Sequence, residues 1–222
     1  MKTRILRALC ALLLAAGACA LAVQAYADQT HGAYLRGYPD GTIRPEAAVT
    51  REALACVLLR LAEADVPEKT VRVFADVART RWSYAAVGTL AGLGLLPFGT
   101  DGWFCPEQAV TWRELCGVLD TIVQSETGRA LFPALSYAWS TKPVKDADPG
   151  ADADTPVTRA ELARAINSLL GRQPCADDAQ LLAANRYTDN APGAWYFAEL
   201  VEASVPHTFR FTASGETWTA VG

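Results

Sequence analysis

The 222-residue chain is poor in the residues on which most site chemistry rests: it has two histidines, one methionine and six cysteines, with no Cys-x-x-Cys pair and no Lys/Arg cluster. Two histidines leave little material for a zinc site or a Ser-His hydrolase, so no metal, cofactor or catalytic group is expected. A formal charge of −4 without a basic patch excludes the face that phosphate recognition requires, and no nucleic-acid partner is expected. What the chain does have is apolar bulk. Half of its residues are hydrophobic, and its 16 Gly and 12 Pro are dispersed, which describes a folded core and not a disordered tail.

The first 27 residues read as a signal peptide and not as part of the fold. Lys2, Arg4 and Arg7 precede an apolar run from Ala8 to Val23, and Ala25-Tyr26-Ala27 places small residues where a signal peptidase reads, so cleavage is expected before Asp28. The run of roughly 16 residues is short of the roughly 20 that a membrane span needs, and no span is expected after cleavage. Ala16-Gly17-Ala18 before Cys19 lacks the leucine of a lipidation box. Losing three cations and no acid leaves 17 basic and 24 acidic side chains, a net −7 on 195 residues. Cys56, Cys105, Cys116 and Cys175 remain, an even number that permits disulfides in an exported chain without requiring them. Cys56 and Cys116 fall in apolar helical patterns, where a small buried thiol is the plainer reading.

Internal repetition organises the rest. Val49-Thr50-Arg51-Glu52-Ala53-Leu54, Val110-Thr111-Trp112-Arg113-Glu114-Leu115 and Val157-Thr158-Arg159-Ala160-Glu161-Leu162 align without gaps. Their apolar positions continue in register as Val57, Leu58 and Leu61, then Val118, Leu119 and Ile122, then Ala165, Ile166 and Leu169, which is one face of a helix in each case. Thr111 with Glu114 and Thr158 with Glu161 have capping-box spacing; Thr50 can cap, but Ala53 cannot complete its box. The loops repeat too, since Asp40-Gly41-Thr42-Ile43-Arg44-Pro45 matches Asp101-Gly102-Trp103-Phe104-Cys105-Pro106 as a tight turn followed by an extended piece. A second element runs from Phe74-Ala75-Asp76 to Trp82 and again from Tyr187-Thr188-Asp189 to Trp195, each followed by a helical pattern. The Phe209–Trp218 tail alternates apolar and polar residues around Ser214-Gly215, the pattern of a small hairpin.

Gly37-Tyr38-Pro39-Asp40-Gly41-Thr42-Ile43-Arg44-Pro45 and Val157-Thr158-Arg159-Ala160-Glu161 resemble the motifs of the S-layer homology family. The resemblance implies an all-α fold, repeated helix-loop-helix units forming a pseudo-threefold helical prism, here with a short irregular or β-hairpin tail. It also implies an exported protein of the bacterial cell wall or S-layer whose grooves bind secondary cell-wall polysaccharide, often pyruvylated, without catalysis. The expected organisation is a signal peptide over 1–27, a first repeat reduced to its second half over 28–70, a second repeat over 71–127, a third with a degenerate first half over 128–173, and a C-terminal half-repeat with tail over 183–222. Three departures stand out. The second repeat has Trp112 where the motif has Arg, the third has only Phe132 to Trp139 as a candidate first helix, and Asp146 to Asp154 replaces its loop. The C-terminal half-unit is expected to supply the helix missing from the first repeat, with Trp195 near the helix of Leu54 to Leu61.

The expected ligand-binding residues are Arg51, Arg159, Trp82, Trp195, Tyr38 and Asp40. A cation in the first turn opposes the helix dipole by up to about 1 kcal/mol, so Arg51 and Arg159 are not there for helix stability. Guanidinium beside free helix-start N–H groups suits a carboxylate or phosphate, hence an acidic or pyruvylated glycan as partner; the other reading is an Arg that pairs with a nearby acid and joins repeats. Trp82 and Trp195 offer flat faces to sugar rings or, alternatively, fill the core. Tyr38 and Asp40 line the loop, while Asp76 and Asp189 read as turn or cap residues. The run Asp146, Asp148, Asp152, Asp154 fails EF-hand spacing, since Val157 stands at the twelfth position. Neither His31 nor His207 has a partner at a recognised catalytic spacing. An alternative function is the same fold with decayed grooves, holding other envelope proteins. The second repeat's groove is expected to be impaired.

Overall fold

A computed structural model describes residues 28–66, 71–99, 101–141, 153–172, 178–212 and 215–222. Strand β1 (Gln29–His31) leads to helices α1 (Arg51–Leu61), α2 (Tyr84–Gly92), α3 (Trp112–Gln124), α4 (Glu126–Leu131), α5 (Pro133–Thr141), α6 (Arg159–Leu170), α7 (Asp178–Ala184) and α8 (Phe197–Ser204), then to strands β2 (His207–Thr212) and β3 (Gly215–Val221).

The three repeated motifs open α1, α3 and α6, and their caps form as the sequence dictates. Thr111 and Thr158 complete reciprocal capping boxes with Glu114 and Glu161, whereas Thr50 caps through Ala53 N–H alone. The valines before these caps are joined in a cycle of backbone hydrogen bonds. Val49 N–H donates to Val157 C=O, Val157 N–H to Val110 C=O and Val110 N–H to Val49 C=O, each at 2.8 Å. All three side chains are buried. The next two amides of every helix donate in turn to a neighbouring loop: Arg51 and Glu52 to Gln108 and Pro106, Trp112 and Arg113 to Thr155 and Ala153, Arg159 and Ala160 to Ala47 and Pro45. Donors that an isolated helix leaves unsatisfied therefore become the joints between units.

A second helix packs beside each of these three: α2 on α1, α5 on α3, and α8 on α6. The candidate segment Phe132 to Trp139 is thus helical, with Leu135 and Trp139 buried and Trp139 Nε1 donating to Asp120 at 2.8 Å. Trp195 does not lie where expected. It precedes α8, which packs on α6, and Arg164 of α6 sits 5.4 Å from its ring. The C-terminal segment reaches the first motif through its loop instead. Asp189 accepts from Ile43 N–H (2.7 Å) and Arg44 N–H (2.8 Å), just as Asp76 accepts from Phe104 N–H (2.9 Å) and Cys105 N–H (2.7 Å). Arg44 and Cys105, equivalent in the two loops, both have left-handed backbone, with φ of 52° and 56°.

The expected all-α class is overturned by a three-stranded antiparallel sheet in the order β1-β2-β3, which makes the fold mixed α and β. The alternating tail forms β2 and β3, with Phe209 opposite Trp218 and a register shift at Thr208/Phe209. Residues 29–31 add the third strand, Thr30 opposite Thr208; three residues carry too little alternation to announce a strand. Beneath the sheet, Phe209 and Trp218 join Phe197, Val201 and Val205 in a small core separate from the main one. Helix α8 serves both, since Leu200 and Ala203 face the main core.

Among the described residues no helix is long and apolar enough to cross a membrane. Of the acidic run, Asp146, Asp148 and Asp152 lie outside the described residues, as does Cys175; Asp154 pairs with Arg113 at 2.8 Å on the surface. Cys56 is buried and Cys105 exposed, both as free thiols.

Candidate functional site

The helix-start position holds Arg51, Trp112 and Arg159 in the three units, and their side chains have different fates. Arg51 donates to Glu114 Oε1 (2.6 Å) and to the Phe104 carbonyl (3.2 Å), with its guanidinium 4.9 Å from the Phe98 ring. Its charge is taken up by a neighbouring unit, the pairing alternative allowed by the sequence. Trp112 is buried, so no cation stands at the second position.

Arg159 is the exception. Only 5% exposed, it donates through Nε to the Ile43 carbonyl and through Nη2 to the Arg36 carbonyl, each at 2.6 Å. Among the described residues it has no carboxylate in ion-pair contact. Burial pushes its pKa down from the usual arginine value, the sign of a charge short of solvation. Its guanidinium lies 5.1 Å from the half-buried Tyr38 ring, which also carries Arg44 at 3.8 Å. Two cations thus share one aromatic ring.

The Tyr38 loop is rigidly tied. Asp40 accepts from Thr42 N–H (3.0 Å), Thr42 Oγ1 (2.6 Å) and Arg44 Nη2 (2.8 Å), and the Thr42 and Arg44 bonds hold its carboxyl down at about 2. Tyr187 accepts from Gly37 N–H at 3.1 Å, and a Cβ at Gly37 would meet that same ring at 2.1 Å, which explains the glycine. Tyr38, Asp40 and Arg159 are therefore brought together.

Trp195 stands further along α6, 51% exposed, with Arg164 over it and Tyr196 edge-on. Trp82 is 62% exposed, so neither Trp fills the core. Trp82 is flanked by a neutralised cluster: Arg81 donates to Glu52 (2.6 and 2.7 Å) and to Glu107 (2.8 Å), and Ser83 donates to Glu52 at 2.5 Å. It is not grouped with Arg159.

The helix starts do not offer the free donors expected of them. The helix-start amides beside Arg51 and Arg159 are not free, because Gln108, Pro106, Ala47 and Pro45 carbonyls occupy them and the threonine caps take the next. An anion here would meet side-chain cations and not a bare helix terminus. Sequence reasoning also passed over Arg44 and Arg164 as cations of the site. Arg44 had a signal, its i+4 spacing from Asp40; Arg164 had none beyond its place on α6.

The closed helix starts leave a face made of a rigid aromatic loop, the Arg44 and Arg159 guanidinium groups on the Tyr38 ring, and Arg164 over the exposed Trp195 indole. Residues 30–55, which include the Tyr38 loop and the start of α1, match the S-layer homology domain. The chain is 33% identical over 108 residues to Cell surface glycoprotein 1 of Acetivibrio thermocellus, a stretch covering 48% of this chain and 5% of that protein. It is 23% identical over 206 residues to the Cellulosome-anchoring protein of the same organism, covering 84% of this chain and 45% of that one. The chain thus spans less than half the length of either relative. These matches give it an extracellular, cell-wall-associated location.

Proposed function

We propose that the chain attaches to the cell envelope without catalysis, by binding an acidic secondary cell-wall polysaccharide, a pyruvylated one included, at Tyr38, Arg44 and Arg159, with Trp195 offering its exposed face to a sugar ring. The observation that carries the reading is the buried Arg159 guanidinium, held by carbonyls and sharing Tyr38 with Arg44, with no carboxylate paired to it among the described residues. Carbonyl dipoles orient the cation without cancelling its charge, so a glycan carboxylate gains a charge-assisted partner in a place already shielded from water. Arg51, already paired with Glu114, serves to join units, and the Trp112 position does not bind.

The same geometry supports a permuted organisation in which the C-terminal half-unit completes the first repeat through Asp189, as Asp76 completes the second. A second reading, an interaction module for other envelope proteins, is favoured by the loss of the cation at Trp112 and its neutralisation at Arg51.

Binding of the exported chain to wall sacculi, before and after chemical removal of the secondary polymer, separates the two. The glycan reading expects binding to vanish with the polymer and to weaken by at least about tenfold in Arg44→Ala and Arg159→Ala, given charge-assisted bonds of about 1.5–3 kcal/mol each. Retention on stripped sacculi, or undiminished binding by Arg159→Ala with native helicity, favours the protein partner. A zymogram on wall material is expected to show no clearing.

A further inference from the structure

The two histidines, 176 positions apart, meet in the fold. His31 of β1, Glu202 of α8, His207 of β2 and Glu216 of β3 bring four donor atoms within 4.8 Å of one another. His31 Nδ1 lies 3.0 Å from Glu202 Oε1 and 3.5 Å from Glu216 Oε1; His207 Nε2 lies 3.3 Å from Glu202 Oε2 and 3.4 Å from Glu216 Oε1. Glu202, His207 and Glu216 are essentially inaccessible to water, and His31 is largely covered. One further cation, Arg172, reaches this end of the fold, donating to the Gly32 carbonyl.

Three features point the same way. First, two buried carboxylates face two imidazoles, so their charge is balanced only when the imidazoles take up protons or a cation enters between the four groups. Second, Glu202 Oε2 and Glu216 Oε2 are buried without a hydrogen bond of proper geometry. Third, His207 Nδ1 lies 2.9 Å from the Val205 carbonyl, which can only accept, so Nδ1 carries a proton and Nε2 is the nitrogen turned to the carboxylates, where a metal ion can replace its proton. That second-layer bond is the one that orients a metal-bound imidazole. Stacking on Trp218, at 3.8 Å between centroids, fixes the ring further.

We propose that His31, Glu202, His207 and Glu216 form a four-ligand site for a divalent first-row transition metal, Zn2+ above all, which clips the N-terminal strand to the C-terminal hairpin. Bonds of 2.0–2.2 Å in a tetrahedral shell separate neighbouring ligands by about 3.3 Å; the imidazole–carboxylate separations here are 3.0–3.5 Å, and the whole set, within 4.8 Å, closes on an ion with small side-chain movements. Two imidazole nitrogens with two carboxylates suit such an ion better than Ca2+ or Mg2+, which take oxygen ligands. Four protein ligands leave no open position, so the role is structural.

The test uses the untagged chain from residue 28, stripped with chelator and titrated with Zn2+ by calorimetry and, separately, with Co2+ by visible absorption. One equivalent should bind, the Co2+ form should show the intense visible bands of tetrahedral N/O coordination, and Tm should rise by about 5–10 °C at a hundredfold excess over the dissociation constant. His31→Ala, at the partly exposed strand, and Glu216→Gln should each weaken binding by more than about tenfold, with circular dichroism reporting whether they fold. Absence of stoichiometric binding by the parent chain overturns the proposal. So does Zn2+ uptake that persists undiminished in folded His31→Ala, which places the ion elsewhere, or thiolate-to-Co2+ charge-transfer bands, which assign it to cysteine.

Discussion

Replacing Asp189 by Ala tests how the C-terminal segment is joined to the first motif. Its carboxylate accepts two backbone N–H groups at 2.7 and 2.8 Å, from the fully buried Ile43 and from the exposed Arg44. Hydrogen bonds to a charged group are worth about 1.5–3 kcal/mol each, and the exposed amide recovers part of its loss from water, so the cost is roughly 2–4 kcal/mol. For a chain of this size, 1 kcal/mol moves Tm by about 2–4 °C, which gives a fall of roughly 5–15 °C. Asp76→Ala is the matched control because it removes the same pair of bonds from Phe104 and Cys105. Amide exchange should localise the damage, with Ile43 and Arg44 exposed in one variant and Phe104 and Cys105 in the other. Asp189→Asn should fall between wild type and Ala, since one amide oxygen can serve only part of the pair. A Tm within about 1 °C of wild type for Asp189→Ala, while Asp76→Ala loses its full share, would refute the idea that this contact closes the molecule.

Other outcomes follow from the same geometry. Burial pushes the Glu52 carboxyl up, but hydrogen bonds from Arg81 and Ser83 outweigh it and hold the pKa below its ordinary 4.5. A depressed folded value means the stabilisation is complete above the unfolded pKa and drains away as pH falls through the folded one. The Tm gap between wild type and Glu52→Gln should therefore be constant above about pH 5 and narrow in acid; a gap unchanged to about pH 2 contradicts this. Cys105→Gly relieves a left-handed residue at φ 56° and should stabilise by about 0.5–1 kcal/mol in urea unfolding, against the usual penalty for glycine. Thr158→Ala removes a hydroxyl that accepts from Glu161 N–H and donates to the Glu161 carboxylate, and should cost about 1–2 kcal/mol, more than Thr50→Ala, whose hydroxyl makes one bond; equal losses would show that the hydroxyl–carboxylate bond contributes nothing.

Much of the helical framework was legible because it rests on local chemistry. The three Val-Thr starts, the capping boxes and the apolar faces are consecutive residues obeying one period, and α1, α3 and α6 begin where those residues say. The sheet was half legible: Phe209 to Trp218 alternate, but Gln29–His31 is too short to carry a pattern and pairs only because α8 and the hairpin present an edge. Contacts between distant segments were the hardest. That Asp189 holds Ile43, that Glu114 takes Arg51 while Arg159 goes to the Ile43 and Arg36 carbonyls, and that His31 meets Glu202 are facts of spatial closure with no periodic trace. The loop repeat showed that Asp76 and Asp189 are equivalent, yet only geometry shows that they brace left-handed residues in other segments.

The cycle through Val49, Val110 and Val157 has a consequence for how such a molecule can change. A stack of repeats has ends, and each end must be specially finished; a ring has none, so no unit can be excised without orphaning amides in the two beside it. Because the bonds of the cycle itself are all made by main chain, they are indifferent to which side chain follows each threonine. Arg, Trp and Arg occupy that place in the three units over the same pattern of bonds. Recognition can thus be gained, lost or redirected one unit at a time, at positions the architecture does not read.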